Sequence, residues 1–376
     1  MPTNSTPPVA LPSPDHPSAF DLSGLGQVPI IPLVPEEVLK QHHVFIPTDL
    51  RFRAAARLLQ GLWREDRDLP LGTYVDAEDK RTRLGSRITE AAGRAGGNFL
   101  TPDIAQVVRR ELIYREIGAM IDEDRLKTNL LSSMPLCFNL FVPLKLDLRA
   151  ADRFVAELFP NLISEVTHIY FESSPGRGNP RFTADYSAFD VVILGLSDTG
   201  KRVFIAIEVK YSEAGFEPMP TRIHPRHLDL VASSGIFAEP EDPALFTNPL
   251  QQLVREHNLA QSILDAGLAE HGVFLLIGPA FNHLATGMAE TYAKGLNPPV
   301  PHRVAFVHIT LERIIEGIAA AGLVDHARAL HRRYCDWHLV DGEIELALAA
   351  EAPTRRRNSR SQDAAPQEAS ISSEAA

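Results

Sequence analysis

The stretch FDVVILGLSDTGKRVFIAIEVKY, residues 189–211, decides the fold of this protein. It consists of two short, apolar runs rich in β-branched residues, 189–196 and 202–211, on either side of the turn sequence SDTGK. Runs of this length and composition that flank a glycine-containing turn predict two strands of a β-hairpin. Because both runs are apolar almost throughout, we expect the hairpin to lie in a protein core.

Three charged side chains interrupt these apolar strands. Charged residues are rarely placed in a buried strand unless they are paired or bind a metal. A turn centred on Thr199 places Asp190 opposite Glu208, with Cβ atoms about 5 Å apart. Glu208 and Lys210 are two residues apart and therefore project from the same face of their strand. The hairpin thus predicts two carboxylates and one ammonium group together at its open end.

This predicted cluster has two interpretations. Two neighbouring carboxylates repel each other unless a positive charge lies between them. Mg²⁺ meets this need, since it typically takes one or two protein carboxylates together with water and substrate phosphate, and a nearby lysine can orient or deprotonate a metal-activated water. The alternative is a purely structural ion cluster in which Lys210 neutralises both acids.

The neighbouring sequence predicts the rest of a sheet. Predicted strands lie at 166–172, 189–196, 202–211, 272–280 and 304–311, and predicted helices lie at 151–160 and 248–267. The second helix has Asn248 as a candidate N-cap, Pro249 at its first position and Gly267 as its terminator. The order helix, three strands, helix, two strands indicates an α/β protein with a mixed central β-sheet flanked by helices.

The pattern D-x(17)-E-V-K on adjacent strands, after a helix and a first strand, resembles the PD-(D/E)XK (restriction-endonuclease-like) nuclease superfamily. The segments SPGRGNPRFTADYSAFDVVILG (174–195), IAIEVKYSE (205–213) and SSMPLCFNLFVPL (132–144) are similar to one bacterial branch of it. The resemblance covers roughly residues 125–310. Phe189 stands where the strict Pro-Asp dipeptide would have proline, a variation that lowers the specificity of the motif.

The resemblance implies a restriction-endonuclease-like core and a metal-dependent nuclease. By this analogy, Asp190, Glu208 and the backbone carbonyl of Val209 bind Mg²⁺ or Mn²⁺, and Lys210 positions the attacking water. It further implies an endonuclease acting on DNA, with a role in defence or DNA processing, while RNA remains open as a substrate. Many such nucleases act as dimers, so a homodimer is also left open. The rival hypothesis is a catalytically inactive nucleic-acid or protein binding module on the same fold.

Four further residues are candidates for supporting roles. Glu172 ends the first predicted strand and would lie near Asp190 if that strand is antiparallel to the next. Glu165, near the end of the preceding helix, is a candidate because members of the superfamily often supply a helix glutamate. Gln251 and Arg255 on the following helix are candidates for contacting the scissile phosphate. For each residue the alternative is a polar group in solvent.

The chain divides into four predicted regions. We expect a disordered, proline-rich tail at 1–35, a helical N-terminal region at 36–130, a nuclease-like core at 131–345 and a disordered tail at 352–376. Within the second region, Thr101 and Pro102 predict a helix start. Residues 51–115 contain 13 Lys or Arg and nine Asp or Glu. This basic stretch is either a nucleic-acid contacting arm or a solvated helical face.

Composition sets the remaining limits. The 376 residues carry a net charge of −11, a weak argument against extensive nonspecific nucleic-acid binding. Two cysteines, Cys137 and Cys335, cannot form a disulfide scaffold or a cysteine-based zinc site, and they favour a reducing cytoplasm. No apolar run approaches the roughly 18 residues of a membrane span. The first residues lack the pattern of a secretory signal.

Overall fold

A computed structural model describes residues 28–75, 80–213 and 223–351, and the predicted hairpin lies near the centre of its main sheet. Five strands form this sheet in the order β3-β4-β5-β6-β7, and a separate two-stranded hairpin pairs β1 with β2. The strands are β1 Leu71–Val75, β2 Arg81–Ile88, β3 Glu165–Ser173, β4 Phe189–Leu196, β5 Arg202–Val209, β6 His271–Gly278 and β7 Ala305–Thr310. Strand β4 is antiparallel to both β3 and β5, whereas β5, β6 and β7 run parallel to one another. The predicted mixed sheet is confirmed.

The hairpin has the predicted register. Its pairs run from Val191 opposite Ile207 to Leu196 opposite Arg202, as a turn centred on Thr199 requires. The first strand of the sheet is antiparallel to β4, with Ser173 opposite Phe189. The carboxyl end of β3, the start of β4 and the carboxyl end of β5 therefore meet at one edge of the sheet.

Helices cover both faces of the sheet. The helices of the described residues are α1 Glu36–Gln41, α2 Arg51–Glu65, α3 Glu90–Arg94, α4 Pro102–Ile113, α5 Glu123–Thr128, α6 Ser133–Leu146, α7 Leu148–Leu158, α8 Pro225–Ser233, α9 Gln251–Asp265, α10 His283–Lys294, α11 Leu311–Ala320, α12 Val324–Tyr334 and α13 Trp337–Glu351, with a 3₁₀ helix at Pro243–Phe246. None of them is long and apolar enough to cross a membrane.

The alternation of side chains along the strands separates two cores. Val191, Ile193 and Ile207 belong to a large core with α6, α7 and α11. Val192 and Ala206 face the other way and pack with α8, α9 and α10. Because successive strand residues point to opposite faces, even-numbered residues of β4 and β5 face α9. Asp190, Glu208 and Lys210 are all even-numbered, so this alternation sends them to the α9 side.

The N-terminal region differs from its purely helical prediction. Strands β1 and β2 lie within it and pair in antiparallel fashion, with a β-bulge at the register shift between Leu71 and Gly72. A Cβ atom on Gly72 would lie 2.4 Å from the carbonyl oxygen of Ile88, so the bulge requires glycine. Helix α4 starts as predicted, with the Thr101 side chain accepting a hydrogen bond from Ile104 N–H.

The boundaries of the predicted tail and of the predicted core also change. Val28, Ile31 and Val34 are buried in the large core, so disorder up to residue 35 is wrong. The predictions for 1–27 and 352–376 lie outside the described residues. Apolar residues of α2 and α4 pack in the same core as the sheet. The N-terminal region therefore shares this apolar core with the sheet.

Two helix starts differ from the sequence prediction. Helix α9 begins at Gln251, because Leu250 and Gln251 N–H groups both donate to the carbonyl of Thr247 in a preceding turn. Asn248 is not the N-cap, and its side chain accepts a hydrogen bond from the Gln251 amide instead. Helix α8, for which no start was predicted, has Pro225 at its first position. Proline is tolerated there because the first helical N–H has no partner within the helix.

Candidate active site

The open end of the hairpin brings the three predicted charged residues together. Glu208 and Lys210 are each 4% exposed, and Lys210 Nζ lies 3.0 Å from Glu208 Oε1. Asp190 is half-buried, and its Oδ2 accepts a hydrogen bond of 2.9 Å from the Val209 N–H. Val209 lies between Glu208 and Lys210 in the chain, and its N–H thus also positions the Asp190 carboxylate.

Helix α9 adds two residues that sequence reasoning missed. Gln252 Nε2 donates to Glu208 Oε1 (2.7 Å) and to Glu256 Oε1 (2.9 Å), while Gln252 Oε1 accepts from Lys210 Nζ (2.7 Å). The Gln252 side-chain amide therefore connects Glu208 and Lys210 with the carboxylate of Glu256. The only sequence signal was the i, i+4 spacing of Gln252 and Glu256, which is the spacing of residues on one face of a helix.

The cluster holds more negative charge than its surroundings neutralise. Burial and the neighbouring Glu208 raise the pKa of Asp190 well above its usual range. Burial, again with Glu208, raises the pKa of Glu256 in the same way. Glu256 Oε2 is buried and has no hydrogen-bond partner among the described residues. A cation bound among these buried carboxylates would relieve their mutual repulsion.

Glu172 lies beside this cluster, as the predicted antiparallel pairing requires. Its pKa is raised by burial, although Arg177 opposes the shift. Arg177 Nη2 donates to the Glu172 carbonyl (2.6 Å) and lies 3.3 Å from Glu172 Oε1. The backbone of Glu172 has φ 45°, in the left-handed region. A non-glycine residue in this conformation costs about 1–3 kcal/mol, so the surrounding contacts must hold it in place.

A cavity of about 680 Å³ opens over the cluster. Five carboxylates line it, together with two of the predicted supporting residues on α9, and these are Glu172, Asp185, Asp190, Glu208, Glu256, Gln251 and Arg255. The volume is typical of a ligand site. Gln251 and Arg255 thus line the cavity, although it is Gln252 that bonds Glu208 and Lys210, with Glu256 joined to them through Gln252.

Asp185 lines the cavity, and its carboxylate stabilises the surrounding loop. Its carboxylate accepts hydrogen bonds from Thr183 Oγ1 (2.7 Å), Ser187 N–H (3.0 Å) and Ser187 Oγ (2.8 Å), and its Oδ2 lies 2.8 Å from His227 Nε2. Burial opposes ionisation, but these contacts hold the pKa of Asp185 far below its usual range. Asp185 therefore holds together the turn that precedes β4.

Glu165 does not reach the site. It is the first residue of β3 rather than part of a helix, it is exposed, and it pairs with Leu196 at the far end of β4 from Asp190. The prediction of a supporting role for it is wrong, because the strand begins earlier than its apolar pattern indicates. Asn258 and Ser262, two further polar residues of α9, are buried.

Glu213 fixes the segment that carries Lys210. Its Oε2 accepts the Tyr211 and Ser212 N–H groups (2.9 and 3.0 Å), and its Oε1 accepts the Ser133 N–H (2.9 Å) and lies 2.6 Å from Arg125 Nη2. Although burial opposes the shift, Arg125 and these donors keep the pKa of Glu213 below its usual value. This glutamate ties the end of β5 to the start of α6.

The donor set fits a hard divalent cation. Among the described residues, no group of three or more His, Cys, Asp or Glu side chains is arranged to hold a metal ion. Mg²⁺, however, needs only one or two protein carboxylates and otherwise keeps water. Asp190 and Glu208 supply oxygen donors whose mutual repulsion such an ion relieves. The unpartnered Glu256 Oε2 adds a further buried acceptor.

Comparison with known proteins gives one match, to a family model. The model of the PD-(D/E)XK nuclease superfamily matches residues 47–336. The matched range includes α2 and the N-terminal hairpin, and it is wider than the roughly 125–310 covered by the motifs alone. No curated protein and no solved structure matches the chain significantly.

Proposed function

Because the chain belongs to the PD-(D/E)XK nuclease superfamily, we propose that it is a metal-dependent endonuclease that hydrolyses phosphodiester bonds of DNA, in DNA processing or defence. The observation that carries this proposal is the meeting of Asp190, Glu208 and Lys210 at one edge of the sheet, with the Lys210 ammonium 3.0 Å from Glu208. These are the residues that match the metal-binding carboxylates and the lysine of the family motif.

The proposed metal ligands are Asp190, Glu208 and the carbonyl of Val209. When bound there, Mg²⁺ or Mn²⁺ lowers the pKa of a water molecule and neutralises charge on the scissile phosphate. The Val209 N–H donates to the Asp190 carboxylate and fixes its orientation. Gln252 holds the Glu208 carboxylate by a hydrogen bond of 2.7 Å. Both carboxylates therefore keep their positions without having to be reorganised during the reaction.

Lys210 acts on the nucleophile. Its ammonium group is held between Glu208 Oε1 (3.0 Å) and Gln252 Oε1 (2.7 Å), which limits its movement. From this position it orients the attacking water and stabilises the negative charge that develops as the new P–O bond forms and the old one breaks. Glu172 and Arg255 line the same cavity, where Glu172 is placed next to the ligands and Arg255 can contact phosphate.

Cleavage of supercoiled plasmid DNA tests the proposal. Purified protein is incubated with Mg²⁺ or Mn²⁺, with EDTA as the metal-free control. We expect nicking or linearisation by the wild type, and a loss of at least about 1000-fold in Asp190→Asn, because a ligand carboxylate is removed. Asp198→Asn is the matched control, since Asp198 is exposed in the turn at the opposite end of the same hairpin.

The outcomes separate nuclease from binding module. Cleavage that needs both metal and Asp190 supports the nuclease. Absence of cleavage by a folded protein that also fails to bind Mn²⁺ in calorimetry would overturn it in favour of an inactive binding module. Cleavage of an RNA substrate instead of DNA would correct the substrate while retaining the site.

A further inference from the structure

A second cavity, of about 600 Å³, shares no lining residue with the site cavity. It lies between the N-terminal ends of α2 and α10 and the β1–β2 hairpin, and we call it the arginine cavity. Its lining includes Ser212, two residues beyond Lys210. The volume lies within the range of small-molecule sites.

Positive charge dominates this cavity in a chain whose net charge is −11. Four arginines and a single carboxylate line it, and they are Arg51, Arg53, Arg57, Arg87 and Asp49. Asp49 forms ion pairs with two of the guanidinium groups, since its Oδ2 lies 2.5 Å from Arg57 Nε and its Oδ1 lies 3.2 Å from Arg53 Nε. Arg51 is exposed and forms none of the ion pairs found among the described residues. Arg87 pairs with Asp124 at 2.9 Å, so the surplus positive charge that an anion would neutralise lies at Arg51 and Arg53.

Two helix N-termini add to that charge. Helix α2 starts at Arg51, its N-cap Leu50 offers no side-chain acceptor, and its first turn holds arginines but no acidic residue. Helix α10 starts beside the same cavity at His283, again without an acidic residue in its first turn. Acidic groups normally stabilise this end of a helix, whereas cations oppose its dipole. The convergence of two such ends with guanidinium groups makes an anion-binding arrangement.

The remaining wall is apolar and aromatic. Tyr74, Phe52 and Phe281 line the cavity beside Ile46 and Leu84. The Arg87 guanidinium lies 5.6 Å from the centre of the Tyr74 ring, so this ring is held in place while 39% of Tyr74 remains exposed. A flat ring system can pack on such a wall. The cavity thus combines a phosphate-binding end with a surface for a planar base.

We propose that the arginine cavity binds a nucleotide, with its phosphate at Arg51 and Arg53 and its base against Tyr74. The nucleotide comes either from solution as a mononucleotide or from the end of a nucleic-acid strand, and the second source rests on the proposed nuclease function. In both cases the recognised chemistry is the same, namely a phosphate attached to a nucleoside.

Calorimetric titration in EDTA tests this proposal without any cleavage. The probes are AMP, adenosine and inorganic phosphate, and the variants are Arg51→Gln alone and combined with Arg53→Gln. We expect AMP to bind more tightly than adenosine, and to bind at least about tenfold more weakly to the double variant because two charge-assisted contacts are lost. Arg94→Gln is the matched control, since Arg94 is an exposed arginine on α3, outside the cavity.

Tyr74→Leu separates base from phosphate recognition. We expect this variant to bind AMP several-fold more weakly and to bind inorganic phosphate as the wild type does. If the double variant fails to fold, Arg51→Gln decides the question, because this exposed side chain supports no ion pair in the described structure.

Titration with an oligonucleotide distinguishes the two sources of the nucleotide. A single-stranded oligonucleotide is titrated with and without a 5′-phosphate. Loss of AMP binding in the arginine variant supports a mononucleotide site, whereas loss confined to the phosphorylated oligonucleotide supports a strand end. Equal affinities of wild type and arginine variants for every probe, or no binding of any probe, overturn the proposal. A failure of plasmid cleavage does not alter these outcomes, because no titration requires turnover.

Discussion

Two buried polar clusters, one in each core, differ in how fully they are satisfied. On the α2 side, the fully buried Arg333 donates to Asn98 O (2.8 Å), Asn98 Oδ1 (2.6 Å) and Gln60 Oε1 (3.2 Å), and its guanidinium lies 3.9 Å from the centre of the Trp63 ring. On the α9 side, Asp190 and Glu256 have raised pKa values. The first cluster matches every nitrogen with a partner, whereas the second concentrates like charge.

This contrast distinguishes buried charges that stabilise the fold from buried charges that form a ligand site. A satisfied network holds helices together and needs no ligand. A network with excess like charge opposes folding unless something neutralises it. The carboxylates of the second cluster also face a cavity, which gives a ligand access. We therefore interpret the Arg333 cluster as structural and the Asp190–Glu208 cluster as a site.

The largest effect is expected from Arg333→Met. This change removes the Arg333 donor from Asn98 Oδ1 and Gln60 Oε1, which are buried, and leaves the Asn98 carbonyl with only the donor from Asn139. We expect the free energy of unfolding, measured with urea, to fall by about 3 kcal/mol or more. Arg328→Met on the exposed face of the same helix is the control. A loss no greater than that of the control would mean that the Arg333 cluster does not hold α12 to α2.

Lys210→Met should act mainly on activity. Plasmid cleavage is expected to fall about 100-fold or more, because the water-orienting ammonium is removed. Mn²⁺ binding should persist, since the carboxylates remain. The loss of stability should be smaller than for Arg333→Met, because Glu208 faces a cavity that water can enter. Lys294→Met, on the exposed end of α10, is the control. A loss of stability as large as that of Arg333→Met, together with unchanged cleavage, would identify a structural ion cluster.

Glu256→Gln should stabilise the metal-free protein by about 1 kcal/mol at pH 8. A carboxyl group whose folded pKa is raised binds its proton more tightly when folded, so its ionisation opposes folding above the unfolded pKa of about 4.3. The advantage of the variant should therefore shrink as the pH falls from 8 to 5.5. Urea unfolding of both proteins in EDTA at the two pH values measures this difference.

The difference between the wild type and the Glu256→Gln variant cancels the effect of other titrating groups on the free energy of unfolding. Burial lowers the pKa of His257 to about 4, so proton uptake on unfolding weakens the wild type and the Glu256→Gln variant alike as the pH falls. An advantage that stays constant or grows toward pH 5.5 would contradict the raised pKa of Glu256.

The smallest effect is expected from Arg202→Gln. Arg202 and Glu270 form a pair of 3.0 Å at the other end of β5, with side chains 55% and 41% exposed. Solvent screens such a pair, and we expect the free energy of unfolding to change by less than about 0.5 kcal/mol. A loss comparable with that of Arg333→Met would show that exposure is a poor guide to the value of an ion pair in this protein.

Part of the site could be predicted because it depends on local geometry. Asp190, Glu208 and Lys210 sit on one hairpin, and a tight turn with a two-residue side-chain period determines which residues face each other. Glu165 failed as a prediction because the start of β3 is set by its pairing with Leu196, which its own composition does not reveal. The N-terminal hairpin was missed for a similar reason, since β1 and β2 are short, half-exposed strands within a helical region.

The pairing of β4 with β5, and hence the neighbourhood of Asp190 and Glu208, follows from the sequence alone, because a short turn leaves a hairpin no other register. That Gln252 contacts Glu208 and joins it to Glu256, rather than Gln251 and Arg255 doing so, depends on the packing of the whole chain. Both pairs have the i, i+4 spacing of a helix face. The rotation of α9 about its axis selects between them, and that rotation is set by which of its apolar residues pack against the sheet.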